Sequence, residues 1–175
     1  MIKIGMVGIS EGNGHPYSWS SIFNGYDKEK MQSSGFPVIS EYLMKEKFPD
    51  CQINEANVTH IYTQDKKLSN HISETCKIEN ISSDIGELVD SVDAVIIARD
   101  DAENHFKFSQ IPLKKGIPVF IDKPLAFTHK EARRIYSYEQ YYGQIFSATG
   151  VRFSSIFKNV ERLKDRVGEI KLIKA

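Results

Sequence analysis

Residues 119–128, VFIDKPLAFT, set an aspartate and a lysine directly after a short apolar run and close the pair with proline. An ammonium at that point can hold a hydroxyl and stabilise alkoxide charge developing on its oxygen. Pro124 holds Lys123 towards extended backbone and makes a cis bond available, which would fix the ammonium's direction. The competing reading of Lys123 is an ordinary solvated lysine at a strand end, and only its surroundings can decide.

Those surroundings begin with GISEGNGHPYSW at 8–19, which also follows an apolar run. A dinucleotide loop wants glycine at three places: for the tight turn, for close approach of the backbone to a pyrophosphate, and for helix–strand packing. The amides at the helix N-terminus then hold the anion. Gly8 fills the first place, but Ser10 stands at the second and Asn13 at the third, with Gly12 and Gly14 displaced. Ser10 is small enough to let an anion near and carries a hydroxyl to donate. Pro16 suits the first turn of a helix entered near His15. A glycine-rich turn with no ligand is the alternative. A third candidate segment is YTQDKK at 62–67, where Asp65 could accept from ribose hydroxyls or cap the helix that begins at Lys66. No arginine stands there to pair with a 2′-phosphate, which favours NAD over NADP.

These residues can cooperate only if the elements between them bring them to one place. Short apolar runs alternate with helical patterns: strands at 2–8, 57–63, 93–99, 117–122 and from 144, and helices at 36–50, 67–76, 82–92, 104–116, 128–143 and 154–168. DAVIIAR (93–99) is apolar enough to predict a central strand covered on both faces. Thr128 and Glu131 predict a capping box, and Gly116 ends the preceding helix. NGYDKEKMQSSG (24–35) is rich in turn formers and reads as an inserted loop. The alternation predicts a doubly wound parallel α/β sheet, and right-handed crossovers then gather 8–18, 63–65, 99–105, 122–124 and 150–153 at one sheet edge.

Composition narrows the partners. Lys plus Arg equals Asp plus Glu at 23 each, so no basic excess recommends nucleic acid as a partner. There is no run of about 18 apolar residues to span a membrane. Cys51 and Cys76 form no CxxC, and the five histidines lack metal-ligand spacing, so neither a metal nor a disulfide framework is expected and a reducing cytoplasm fits best.

DAVIIARDDAENH, GIPVFIDKPLAFT and GQIFSATGVRFS together resemble the Gfo/Idh/MocA family of NAD(P)-dependent sugar and polyol oxidoreductases. Asp122-Lys123-Pro124 matches that family's Glu-Lys-Pro, and Arg152-Phe153 its Arg-Phe after the sixth strand. The resemblance implies a Rossmann domain, here 1–150, and a second α/β domain of which 151–175 would be the linker helix and first strand. It makes Lys123 the catalytic-site lysine. It places Gly8, Ser10, Gly12, Asn13, His15, Thr63, Asp65, Arg99, Asp100, His105, Asp122 and Lys123 on cofactor-contacting segments. It further implies a sugar-like substrate, an Asp/His pair for proton transfer in the second domain, and self-association. Three departures stand out: the broken glycine pattern, aspartate for glutamate before Lys123, and a chain that stops where the second domain starts. Truncation and little turnover by these 175 residues alone are the corresponding expectations. The competing function is a non-catalytic Rossmann module holding a nucleotide, a small anion or a partner protein. Edge pairing of EIKLIKA would support association.

Overall fold

The structure is a computed structural model, and it describes residues 1–155 together with Gly168 and Lys171. Six strands form one sheet: β1 (Ile2–Val7), β2 (Ala56–Tyr62), β3 (Asn80–Ile81), β4 (Ala94–Ile97), β5 (Val119–Ile121) and β6 (Ile145–Phe146). They lie side by side in the order β3-β2-β1-β4-β5-β6, every neighbouring pair parallel. From β1 the chain winds outwards in one direction and, after β3, in the other. Such a reversal opens a crevice beyond the strand C-termini, between β1 and β4. The register makes that edge level: Val7 faces both Tyr62 and Ile97, and Ile97 faces Ile121.

Seven α-helices cover the described part of the sheet: α1 (His15–Asn24), α2 (Lys28–Gln32), α3 (Pro37–Leu43), α4 (Lys66–Cys76), α5 (Ile85–Asp90), α6 (His105–Lys114) and α7 (His129–Tyr136). Two apolar clusters result. One packs Tyr17, Ile72 and Leu43 under β1 and β2; the other packs Leu88, Phe108, Leu113 and Ile135 against β4 and β5.

The doubly wound parallel sheet predicted from the alternation is what forms. The capping box is present, with the Thr128 hydroxyl accepting from the Glu131 amide and the Glu131 side chain accepting from Thr128. Gly116 follows α6 at a φ of 75°. Boundaries differ from expectation for local reasons. The helix expected at 82–92 begins only at Ile85, because Asp84 caps it by accepting from the Glu87 amide. The helix expected over 36–50 ends at Leu43 and passes into turns. That expected over 128–143 ends at Tyr136, after which Gln140 and Gln144 donate to the carbonyls of Leu113, Lys114 and Ile117 instead of continuing the coil. The inserted loop 24–35 contains α2, whose N-cap Asp27 accepts from the Lys30 amide. β3 escapes prediction because it is two residues long and exposed. β4 is buried on one face only: Val95 and Ile97 are enclosed while Ala94 and Ile96 are half-buried, since α1 covers β1 and β2 and leaves a small apolar hollow beside Ile96 and Phe120. After β6 the outgoing loop contains a 3-10 turn, Gly150–Phe153. The helix expected from 154 and the final strand fall almost wholly outside the described residues. Among the described residues, no helix is long and apolar enough to cross a membrane.

Candidate functional site

The level strand ends bring the three sequence segments together, and side-chain bonds then fasten them. Asp122, 1% exposed, is the hub where β5 meets the opening loop. Its Oδ2 accepts from His15 Nδ1 at 2.5 Å and from Asn13 Nδ2 at 3.2 Å. Its Oδ1 accepts the Lys123 amide at 2.7 Å and lies 3.8 Å from the Lys123 ammonium. Burial pushes the Asp122 carboxyl up, but the hydrogen bond and charge of His15, with the amide and charge of Lys123, outweigh it and hold the group below its ordinary range. The Lys123–Pro124 bond is cis, the isomer the proline made available.

A second set of bonds fastens the β4 end. Arg99, 7% exposed, places Nε and Nη2 on Asp101 at 2.8 and 2.5 Å and Nη1 on the Ile9 carbonyl and Gln64 Oε1, both at 2.9 Å. Burial pushes the Asp101 carboxyl up, while the bonds from Arg99 and Asn104 more than offset it and leave it lowered. Gln64 donates to the Ile9 carbonyl at 2.7 Å, closing the ring of contacts across three strand ends. His105 is fully buried, its Nε2 2.8 Å from the Arg99 carbonyl and its Nδ1 3.1 Å from that of Leu125. It ties the β4 and β5 loops together from beneath and is not offered to a ligand.

The opening loop answers the glycine question residue by residue. A Cβ on Gly8 would stand 2.4 Å from Pro16 Cγ, and one on Gly14 would stand 2.4 Å from Ile39 Cδ1 and 2.8 Å from Phe36. The close-packing role of the third fingerprint glycine has therefore moved one residue, from 13 to 14, because α3 packs there. Gly12 turns at a φ of 74°. Asn13 is freed for other work, its Oδ1 capping the His15 amide at 2.8 Å while its Nδ2 reaches Asp122. The Ser10 hydroxyl, expected to face an anion, donates instead to Asp100 Oδ1 at 2.6 Å, a carboxylate being the strongest acceptor in reach. Among the described residues the amides of Ser10, Glu11, Gly12 and Gly14 have no partner. They are the loop's free donors.

At the β2 end, Asp65 caps α4: its Oδ1 accepts the Lys67 amide at 2.7 Å. The buried Thr63 hydroxyl bonds the Asp65 carbonyl at 2.6 Å and meets Ser69 Oγ at 2.8 Å, so it faces inwards. Beside them a cavity of about 550 Å³ is lined by Thr63, Gln64, Lys66, Ser82 and Glu87 among others. Another, of about 470 Å³, lies between α1 and α3, with Gly12, His15, Trp19, Phe36 and Tyr42 in its wall. Trp19 stands in the wall of that cleft, against the sheet. It meets Phe120 edge-on and stacks on His15 with ring centroids 4.4 Å apart.

Thus Gly8, Gly12, Asn13, His15, Asp122 and Lys123 converge on one crevice; Asp65 and Thr63 lie at its far end; Ser10, Arg99, Asp100 and His105 hold it together. Sequence reasoning missed Gln64, Asp101 and Asn104. Gln64 meets the Ile9 carbonyl and Arg99 across the sheet edge, which no spacing in the chain announces, whereas Asp101 is bonded by Arg99 and Asn104 two and three residues away, a local pattern within RDDAEN. Among the described residues no cluster of three His, Cys, Asp or Glu is arranged to hold a metal.

A family model described as "Oxidoreductase family, NAD-binding Rossmann fold" matches residues 2–149. None of the curated proteins matches the chain in sequence. Among solved structures it is similar to myo-inositol dehydrogenase from Lactobacillus casei, determined with NAD(H) and myo-inositol. That likeness has 16% identity and a TM-score of 0.69 over 95% of this chain and 42% of that one. Scyllo-inositol dehydrogenase from the same organism, with NAD(H) and scyllo-inositol, matches at 17% identity and a TM-score of 0.63 over 97% and 43%. A Gfo/Idh/MocA family oxidoreductase from Vibrio cholerae matches at 18% and 0.63 over 94% and 43%. The chain thus spans less than half the length of the solved structures it resembles.

Proposed function

Since the chain belongs to the Gfo/Idh/MocA oxidoreductase family, we propose that its crevice takes a nicotinamide dinucleotide and serves hydride transfer at an alcohol carbon of a sugar-like polyol. The observation that carries this reading is the fastening of Lys123 to the opening loop through Asp122, His15 and Asn13. A diphosphate against the free amides of Ser10, Glu11, Gly12 and Gly14 would leave Lys123 beside the redox end of the same cofactor. Gly8 and Gly12 let the backbone come close. Asp65 has a second carboxylate oxygen for an adenosine ribose, and NAD is the form proposed, in a reducing cytoplasm. The nicotinamide supplies the redox chemistry when bound. The protein's part is to orient the polyol hydroxyl and stabilise its negative charge with the Lys123 ammonium.

The Lys123 side chain is 46% exposed. Excluding water there requires a wall that the described residues do not supply. We assign that wall to a second α/β domain, which residues 151–175 would begin, or to a second copy of the chain.

Calorimetric titration with NAD(H) is the test. Binding to the intact chain, abolished in Ser10→Glu and retained in Lys123→Ala, is the expected result. Asp100 favours a second reading, a module for something other than a diphosphate, because its carboxylate sits on Ser10 and repels an anion there. Absence of binding at millimolar NAD(H) would select that module.

A further inference from the structure

Two adjacent aspartates at the β4 end stand in different electrostatic surroundings. Asp101 is paired: Arg99 places Nε and Nη2 on its carboxylate, and Asn104 donates to it at 2.7 Å. The remaining Arg99 nitrogen, Nη1, is held by the Ile9 carbonyl and Gln64. Asp100 has no such countercharge. Its Oδ1 accepts the Ser10 hydroxyl at 2.6 Å, and its amide donates to the same hydroxyl at 3.2 Å. Among the described residues no lysine or arginine forms an ion pair with Asp100, and its Oδ2 has no hydrogen-bond partner. An uncompensated carboxylate therefore stands against Ser10, the first of the loop residues whose amides are free. The Ser10 hydroxyl is engaged as donor and as acceptor, so neutral amides are what the loop offers an anion. Glu11 adds a second carboxylate, exposed on the loop itself.

Backbone amides hold an anion through their dipoles and need no cationic side chain. They suit the diphosphate of a dinucleotide, a diester with one negative charge on each phosphorus. A terminal phosphate loses a second proton near about pH 6 and carries almost two charges in neutral solution. Each further charge on a ligand meets Asp100 again: a like charge about 6 Å away weakens binding about threefold in a water-like medium, and more in a drier one. We propose that Asp100 sets the selectivity of the opening loop, admitting the two single charges of a dinucleotide and turning away nucleotides that end in a doubly charged phosphate, such as ADP. The dinucleotide rests on the oxidoreductase reading above; the sign of the charge effect does not. ADP presents the same base, ribose and diphosphate as the adenosine half of NAD, so shape cannot keep it from the crevice and charge can. One carboxylate thus has two effects: Oδ1 fastens the loop through Ser10, and its charge sorts what the loop receives.

The test is calorimetric titration of the full 175-residue chain and of its Asp100→Asn variant with NADH and with ADP. Asparagine keeps an oxygen for the Ser10 hydroxyl, so the loop retains its bond while the charge is removed. The expected result is a gain in ADP affinity that exceeds the gain in NADH affinity by about threefold or more at low salt. An equal factor for both ligands, as loss of a merely structural contact would give, overturns the proposal, and so does the absence of any gain for ADP. The wild type gives a second readout that needs no substitution. Raising the salt to about 0.15 M shortens the screening length to about 8 Å, so the preference for NADH over ADP should shrink. A preference that stays constant or grows overturns the proposal, because a site that draws anions with lysines loses its more highly charged ligand first. If NADH binds neither protein at millimolar concentration, the cofactor reading is rejected. ADP that then binds Asp100→Asn more tightly than wild type keeps the charge selection; ADP that binds neither, or both alike, overturns that as well.

Discussion

The two ends of the crevice are built by different means. At the β1–β4–β5 end the bonds that join one strand end to another are long-range: Ser10 to Asp100 and Arg99 to Ile9 span 90 residues, His15 to Asp122 spans 107 and Asn13 to Asp122 spans 109. At the β2 end most are local: Thr63 with Asp65 and Ser69, Asp65 with Lys67, Ser83 with Glu87. A long-range bond forms only when the sheet is already assembled, so it joins the stability of the fold to the geometry of the site. A local bond fixes one turn whatever the rest of the chain does. Removing groups at the first end should therefore unsettle the whole molecule, and at the second only a helix terminus.

The sharpest challenge to that contrast is Arg99→Met. It leaves Asp101, the Ile9 carbonyl and Gln64 without their shared donor, and breaking a buried pair in this way costs about 3 kcal/mol or more. Urea unfolding should show a lower midpoint at an unchanged slope. A midpoint equal to wild type would mean that the β4 end is no more integral than the β2 end.

Asp122→Asn comes next, at about 2 kcal/mol for a buried hydrogen-bonded carboxylate losing its charge. It also has a pH signature. The Asp122 carboxyl lies below its ordinary value of 3.8 in the folded chain, where the gain from His15 and Lys123 exceeds the cost of burial. Between the two values the unfolded chain binds more protons than the folded one. The stabilisation is complete above the ordinary value and is lost as pH falls through the folded value. The urea midpoint of the wild type should accordingly drop more steeply below pH 3.8 than that of Asp122→Asn. Asp101, lowered in the same sense, leaves a residual slope in the variant.

The contrast also explains what could be seen in the sequence. The β1, β2, β4 and β5 strands announce themselves as apolar runs, and their alternation with helices fixes which turns share an edge; Ser10, Asp65, Asp100 and Lys123 were placed at that edge on this ground alone. Local bonds with a capping pattern were legible too, as with Thr128 and Glu131, or with Asp65 as a cap, whereas the local pairing of Asp101 with Arg99 and Asn104 follows no such pattern. The long-range bonds were not. Nothing in HPYSW says that its histidine will meet an aspartate 107 residues later, nor in NHFKF that His105 will be enclosed between two carbonyls. Such pairings depend on the three-dimensional register, and propensity and spacing carry no information about it.

Within the opening loop the glycines sharpen the comparison at smaller scale. Gly14→Ala forces a methyl against Ile39 and Phe36 and should cost about 2 kcal/mol by overpacking. Gly12→Ala meets nothing within 4 Å and pays only for its φ of 74°, about 1 kcal/mol. Thermal unfolding of both variants should rank them in that order; the reverse order would place the loop's packing constraint at its apex and not at the α3 contact.

The smallest effect belongs to the β2 end, where one residue separates stability from recognition. Asp65→Ala removes the α4 cap and should cost about 1 kcal/mol, while Asp65→Ser keeps a capping oxygen and should cost a few tenths at most. If the carboxylate also serves an adenosine ribose, both variants lose NAD affinity to the same extent despite their different stabilities, because neither retains the second oxygen. If Asp65 is a cap alone, Asp65→Ser binds NAD as the wild type does. Paired unfolding and titration curves for the two variants read both quantities from the same samples. A serine variant that is stable yet weak in binding would show that a locally built turn can carry recognition without carrying the fold.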